Sequence, residues 1–238
     1  TRPLSIFCPL EKFSSYKIAP TVNVNGNENI LELWHGPTCA FKDMALQILP
    51  HLLITSARKN NVKNDIVILT ATSGDTGKAA LAGFADVEGT KIIVFYPKNG
   101  VSPIQEKQMV TQKGANTFVV GINGNFDQAQ TGVKKMFNDS ALEAEMDAAG
   151  YQFSSANSIN IGRLVPQVVY YVYAYSRLYK NGVIAKDEKI NVTVPTGNFG
   201  DIFAGYLAKK MGLPIDQLVI ATNSNDILHR CISSNDHS

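Results

Sequence analysis

The sequence predicts an α/β fold built on parallel sheets, and three observations lead to this prediction. From residue 65 onward, short β-branched segments of strand length alternate with segments of helical periodicity. The strand segments are apolar at nearly every position, which is typical of parallel strands covered on both faces. The chain has 238 residues, of which 45% are hydrophobic and 18% charged, so it also has enough apolar material for a substantial core.

The first alternation occupies the middle of the chain. A short strand at residues 29–33 and a helix that starts at Asp43 and contains Pro50 come before it. Strands are predicted at residues 66–70, 91–96 and 117–122, and helices at residues 75–84, 103–112 and 126–138. The polar, alanine-rich segment near residues 140–155 is expected to form a boundary.

A second alternation follows Gly150. Helices are predicted at residues 161–179 and 199–211 and again from residue 226, and strands at residues 191–194 and 218–222. Gly212 directly follows the second of these helices, at the position where a glycine commonly ends a helix.

Charge and cysteine content exclude several classes of protein. The formal net charge is +2, which gives no basic stripe for nucleic acid. Three widely spaced cysteines and four histidines form no disulfide framework or metal-ligand spacing, and no apolar segment is long enough to span a membrane. We therefore expect a cytoplasmic protein without a metal site, a nucleic-acid partner or a membrane partner.

The two ends of the chain suggest that it is part of a longer protein. The sequence begins at Thr1 without a methionine, and it stops at Ser238 directly after a predicted helix. We therefore expect the chain to be a fragment.

The loop at residues 70–77 joins a predicted strand to a predicted helix, where α/β proteins bind ligands. It contains four hydroxyl residues, two glycines and one carboxylate, so it could hold an anion at the helix N-terminus. An ordinary helix cap by Thr72 or Ser73 is the alternative. A nucleotide-binding P-loop is rejected, because Thr72 replaces the first glycine and Ala79 replaces the hydroxyl that binds magnesium.

The loop at residues 194–201 also joins a strand to a helix. Its sequence, VPTGNFGD, would direct several backbone amides toward a small phosphate group. A polar turn in which Asp201 interacts with the helix dipole is the alternative.

Two further segments carry candidate residues. Residues 154–163 crowd small polar side chains ahead of a long helix, and Arg163 could bind a carboxylate or phosphate there or lie on the surface. Lys42 lies between Phe41 and the apolar start of a helix. A lysine among apolar groups can act as a nucleophile or base at neutral pH, although most lysines are solvated surface charges.

Taken together, four segments in this order closely resemble the threonine synthase family. They are HGPTCAFKD at 35–43, ATSGDTGKAA at 71–80, SSANSINIGRLVPQ at 154–167 and PTGNFGD at 195–201. The resemblance implies pyridoxal 5′-phosphate (PLP) as cofactor. It also implies fold type II, the fold of the tryptophan synthase β chain, in which the cofactor lies between two parallel-sheet α/β lobes.

The resemblance also implies how the chain divides between those lobes. Residues 1–60 would carry the PLP lysine and belong to the large lobe or the region between the lobes. Residues 61–150 would form the smaller lobe, and residues 151–238 an incomplete large lobe.

The resemblance assigns roles residue by residue. Lys42 matches the catalytic lysine that binds PLP covalently, and Asp75 matches a residue near the cofactor hydroxyl. The loop around the cofactor phosphate corresponds to Gly197, Asn198, Phe199, Gly200 and Asp201. The substrate-binding positions correspond to Thr72, Ser73, Thr76, Ser155, Asn157, Asn160 and Arg163.

The implied reaction converts O-phosphohomoserine, a small anionic amino acid, and water to L-threonine and phosphate by γ-elimination and β-addition. Two alternatives remain open: a threonine-synthase-like phospho-lyase that forms 2-oxobutyrate, and a catalytically incomplete PLP-fold domain. The protein is expected to be a monomer or a homodimer.

Overall fold

The computed structural model describes residues 12–157, 160–196, 199–224 and 226–235. The described residues fall into two compact units. The first comprises the described parts of Thr1–Pro20 and Glu32–Arg163, and the second those of Thr21–Leu31 and Leu164–Ser238.

The helices and strands alternate along most of the chain. The strands are β1 (Thr21–Asn25), β2 (Glu28–Leu31), β3 (Asp65–Ala71), β4 (Thr90–Pro97), β5 (Thr117–Ile122), β6 (Tyr151–Ser155), β7 (Ile190–Pro195) and β8 (Ile215–Ala221). The helices are α1 (Asp43–Lys59), α2 (Asp75–Phe84), α3 (Pro103–Val110), α4 (Phe126–Phe137), α5 (Ser140–Ala148), α6 (Ile161–Lys180), α7 (Gly200–Lys210) and α8 (Ile227–Ser234). None of these helices is long and apolar enough to cross a membrane.

The first unit is built on a four-stranded parallel sheet in the order β5–β4–β3–β6, which confirms the predicted α/β class. The side chains of the central strand β3 alternate between two apolar clusters. Ile66 and Ile68 belong to the cluster that contains residues of α1, α2 and α3, whereas Val67 and Leu69 belong to the cluster that contains residues of α4. The uninterrupted apolar run at residues 66–69 of β3 therefore reflects burial on both faces.

The second unit contains the antiparallel hairpin β1–β2 and the parallel pair β7–β8, together with most of α6 and all of α7. Tyr171 of α6 packs on Gly205 of α7, where an added Cβ would lie 2.6 Å from the Tyr171 ring. Gly212 follows the α7 C-cap with a φ of +102°, which confirms the predicted glycine end of this helix.

Helix α5 and strand β6 were not predicted. Helix α5 has no fully buried residue; Asp139 caps it by accepting N–H bonds from Ala141 and Leu142, each at 3.1 Å. Strand β6 pairs in parallel with β3, so the segment predicted as a boundary completes the first unit's sheet. The predicted lobe boundaries at residues 60 and 150 stay a prediction.

Candidate active site

Lys42 directly precedes α1 and is buried, with 5% of its surface exposed. Its Nζ lies 5.3 Å from the centroid of the Phe41 ring. The pKa of Lys42 is lowered to about 8, first by burial and next by the charge of Arg163; the charge of Asp75 acts in the opposite direction, and the charge of Lys78 makes a smaller lowering contribution. At pH 7 about a tenth of an amine with this pKa is neutral, so Lys42 can act as a nucleophile or a base.

The loop before Lys42 is held by the neighbouring carboxylate of Asp43, which is 1% exposed. Asp43 accepts hydrogen bonds from the Thr38 hydroxyl at 2.5 Å, from the Thr38 N–H at 2.9 Å and from the Ala40 N–H at 3.2 Å. A Cβ added to Gly36 would overlap this carboxylate. The segment HGPTCAFKD therefore forms a closed turn that fixes where Lys42 enters α1.

The loop between β3 and α2 is organised around Thr72, which is buried. Its Oγ1 accepts the N–H groups of Gly74 and Gly77, each at 2.9 Å, and so it serves the start of the helix as a cap does. Ser73 is exposed and Thr76 is half-buried in the same loop. The substrate-binding roles predicted for Thr72, Ser73 and Thr76 stay predictions.

Asp75 lies in the first turn of α2 and makes two close contacts through the same oxygen. Its Oδ1 accepts from Gln105 Nε2 at 2.9 Å and lies 3.1 Å from Lys78 Nζ. Partial burial favours the neutral acid, but the hydrogen bond and charge of Lys78, together with Gln105, lower the pKa of Asp75 below its usual value. Asp75 therefore carries a full negative charge near Lys42 at neutral pH.

The end of β6 and the segment after it carry three further predicted residues, and one of them contacts the end of β3. Asn157 Nδ2 lies 3.5 Å from the carbonyl oxygen of Ala71 at the end of β3, and Ser155 Oγ accepts the Asn157 N–H at 3.1 Å. Asn160 donates to the Ser155 carbonyl and accepts the Gly162 N–H, both at 2.9 Å, so it caps α6.

Arg163, at the start of α6, is buried rather than solvated, with 2% of its surface exposed. Its Nη1 donates to the carbonyl oxygen of Ala156 at 3.0 Å. Burial lowers the pKa of Arg163 to about 10, which leaves the guanidinium charged at neutral pH. The alternative of a surface arginine is therefore wrong, and a buried cation of this kind is suited to a carboxylate or phosphate.

In the second unit, the start of α7 carries three of the residues predicted to surround the cofactor phosphate. Phe199 is the N-cap residue, Gly200 is buried, and the Asp201 carboxyl contacts the Tyr171 hydroxyl at 3.1 Å. Burial raises the pKa of Asp201, and the Tyr171 hydrogen bond partly offsets this effect. The predicted Gly197 and Asn198 lie outside the described residues.

Sequence reasoning missed Gln105 and considered Lys78 only as part of a rejected P-loop. The segment SPIQ at 102–105 has the pattern of a capping box and predicts a helix start. Its contact with Asp75 spans 30 residues and leaves no local signal in the sequence.

The first unit's residues fit PLP on two observations. A lysine whose ammonium form is disfavoured can bind an aldehyde covalently. The buried Oδ1 of Asn157 has no hydrogen-bond partner among the described residues, so a polar acceptor is available to a ligand there. No group of three or more His, Cys, Asp and Glu side chains in the described part of the chain could hold a metal ion.

The parallel-sheet unit and the buried lysine before α1 are features of a PLP enzyme of fold type II. A comparison with family descriptions agrees: residues 30–237 match the family described as pyridoxal-phosphate dependent enzyme. The chain belongs to this family, whose cofactor is pyridoxal 5′-phosphate.

Individual proteins similar to this chain specify its relatives within the family. The chain is 46% identical over 223 residues to threonine synthase from Pseudomonas aeruginosa, an alignment that covers 94% of this chain and 45% of that protein. It is 44% identical over 224 residues to human threonine synthase-like 1, covering 92% of this chain and 30% of that protein. The chain thus spans about half the length, or less, of the curated relatives it matches.

Among solved structures, PLP-bound threonine synthase from Brucella melitensis superposes on the chain with a TM-score of 0.81. The two sequences are 45% identical, and the match covers 96% of this chain and 47% of that one. This likeness confirms the predicted fold type II.

Proposed function

We propose that the full-length protein is a threonine synthase that converts O-phosphohomoserine and water to L-threonine and phosphate. The observation that carries the proposal is the 46% identity to a threonine synthase over nearly the whole chain. The buried Lys42 supports it, because the reaction needs an amine that is partly neutral at physiological pH. We further propose a cytoplasmic monomer or homodimer that acts on a small anionic amino acid.

Lys42 is the proposed catalytic residue. PLP, when bound, accepts the electron pair left when the substrate Cα loses its proton. Lys42 Nζ binds the cofactor and then takes up and returns the substrate proton. Its low exposure excludes water from the amine, and the buried turn held by Asp43 orients the Lys42 backbone.

The substrate's anionic groups are proposed to bind at two segments of the first unit that carry hydrogen-bond donors. Arg163 contributes a buried cation for the substrate's phosphate or carboxylate, with Ser155, Asn157 and Asn160 nearby in sequence. Thr72, Ser73 and Thr76 surround the N-terminus of α2, whose N–H groups favour an anion. Asp75 is proposed to contact the cofactor.

The cofactor phosphate is proposed to bind at the start of α7. Free N–H groups at a helix N-terminus suit a phosphate. The residues of this loop are Gly197, Asn198, Phe199, Gly200 and Asp201.

The test uses the full-length protein loaded with PLP and supplied with O-phosphohomoserine. Threonine and phosphate should form in equal amounts, and Lys42→Ala should reduce turnover by at least a thousandfold. Lys63→Ala, which changes an exposed lysine, serves as the matched control and should leave turnover unchanged.

Other products would overturn the proposal. Formation of 2-oxobutyrate with phosphate would identify a phospho-lyase, and the absence of turnover and PLP binding would indicate a catalytically incomplete domain.

A further inference from the structure

Gln105 helps to cap the start of α3. It is the N3 residue of a capping box, in which Ser102 Oγ accepts the Gln105 N–H and Gln105 Oε1 accepts the Ser102 N–H, both at 3.3 Å. The other end of the amide donates from Nε2 to Asp75 Oδ1 at 2.9 Å. One side chain thus joins the cap of α3 to the candidate active-site loop.

The same amide packs directly on the backbone of that loop. A Cβ added to Gly74 would overlap the Gln105 amide, and Gly74 has a φ of +134°, which side-chain-bearing residues rarely adopt. Glycine at position 74 is therefore what allows Gln105 to reach Asp75.

These contacts fix the orientation of the amide. The Ser102 N–H needs an acceptor, and the Asp75 carboxylate needs a donor, so turning the amide over would place oxygen against oxygen. Asp75 Oδ1 is consequently held between Gln105 Nε2 and Lys78 Nζ, which lie 2.9 and 3.1 Å from it.

We propose that Gln105 is a positioning residue of the active site, which holds the Asp75 carboxylate in the place where its charge acts on Lys42. The part of this inference that concerns turnover rests on the proposed function. The charged groups that act on Lys42 are Arg163, Asp75 and Lys78, and of these Asp75 alone favours the ammonium form. Releasing Asp75 therefore favours the neutral amine.

The chain offers a matched control. Gln128 occupies the same position in the capping box of α4, with Asn125 as its partner, and its side chain accepts the Asn125 N–H at 2.9 Å. Gln105→Met and Gln128→Met each remove a cap while nearly keeping side-chain length. Only the first removes the donor to Asp75.

The first arm measures turnover in the PLP-loaded full-length protein. We expect Gln105→Met to lower kcat/KM about tenfold, the usual size of a lost hydrogen bond to a charged group, and Gln128→Met to change it less than twofold. Gln105→Glu keeps an acceptor for Ser102 but removes the donor, and it should lose at least as much. Wild-type kcat/KM in Gln105→Glu, or equal losses in the two Met variants, would overturn the proposal.

The second arm does not depend on turnover. In the full-length protein freed of PLP, acetic anhydride labelling of Lys42 is followed by mass spectrometry across pH. The pH of half-labelling should fall in Gln105→Met and stay constant in Gln128→Met. In an Asp75→Asn background, Gln105→Met should produce no further change.

An unchanged half-labelling pH in Gln105→Met, or an equal shift in the Asp75→Asn background, would contradict the role of Gln105. If the protein proves not to make threonine, the labelling result still tests the role of Gln105. A failure of the proposed function can therefore be distinguished from a failure of this inference.

Discussion

At the scale of single residues, the candidate site contains groups that folding alone would not favour. Lys42 and Arg163 are cations with 5% and 2% of their surfaces exposed, and the pKa of each is lowered by burial. Burying a charged group costs free energy. Side chains with pKa values perturbed by burial are concentrated at functional sites.

Replacing Lys42 should stabilise the protein in its PLP-free form. Because the pKa of Lys42 is about 8 in the folded state against 10.5 in an unfolded chain, the unfolded state binds more protons between these values. Stability should therefore rise with pH from about 8 to about 10.5, and the full cost is present below pH 8. We expect Lys42→Met to raise the free energy of unfolding at pH 7 by about 2 kcal/mol.

Urea unfolding at pH 7 and pH 10 measures this effect. The gain from Lys42→Met should shrink as the pH rises, and Lys63→Met, at an exposed position, should change stability by less than about 0.5 kcal/mol. A loss of stability in Lys42→Met at pH 7 would contradict the prediction.

Replacing Asp43 should lower the free energy of unfolding, in contrast to replacing Lys42. Asp43→Ala leaves two N–H groups and a hydroxyl without their buried acceptor, so we expect a loss of about 3 kcal/mol. Asp43→Asn keeps one acceptor oxygen and should lose less. Thermal unfolding of the two variants tests this order, and equal losses would argue against the three-bond turn.

At the scale of elements, several candidate site residues lie at the N-termini of helices. At three helix starts in the first unit, a side-chain oxygen accepts a backbone N–H group: Thr72 at α2, Gln105 at α3 and Asn160 at α6. The same hydroxyl and amide types that cap helices also bind anions. A motif such as TSGDTG is therefore as typical of a helix start as it is of a ligand-binding loop.

Two helix glycines should respond in opposite ways to alanine. Gly205→Ala in α7 places a methyl 2.6 Å from the Tyr171 ring, whose hydroxyl is anchored on the Asp201 carbonyl at 2.7 Å, so the ring cannot easily yield. We expect a loss of about 1–2 kcal/mol. Gly132→Ala in α4 meets nothing within 4 Å and should gain about 0.5–1 kcal/mol from helix propensity. Chemical unfolding measures both, and a loss in Gly132→Ala would be the contrary result.

At the scale of the whole molecule, burial is concentrated on the two faces of β3. This strand is paired on both edges and covered on both faces, whereas the β1–β2 hairpin is mostly exposed. Local stability follows such differences in burial.

Amide hydrogen exchange should therefore be slowest in β3 and the adjoining β4, and fast in β1 and β2. Hydrogen–deuterium exchange read by mass spectrometry, with peptides covering Asp65–Ala71 and Thr21–Asn25, tests this order. Equal protection of the hairpin and β3 would contradict it.

Regular elements with strong periodicity were predictable from the sequence. Helix α2 and strand β5 begin and end at the predicted residues, because each has clear boundary signals: Gly74 before α2 with Asp75 in its first turn, and a polar turn after β5. Helix α5 has no fully buried residue and β6 is short, so neither carries a periodic pattern strong enough to identify it.

The sequence by itself determined the α/β class, the resemblance to PLP enzymes and the set of candidate site residues, since these depend on local pattern and residue type. Only the tertiary structure decided that Arg163 is buried, that the Thr72 hydroxyl oxygen accepts backbone N–H groups and that Gln105 reaches Asp75. Burial and hydrogen bonding between residues far apart in the chain depend on how strands and helices pack, and no local pattern contains that information.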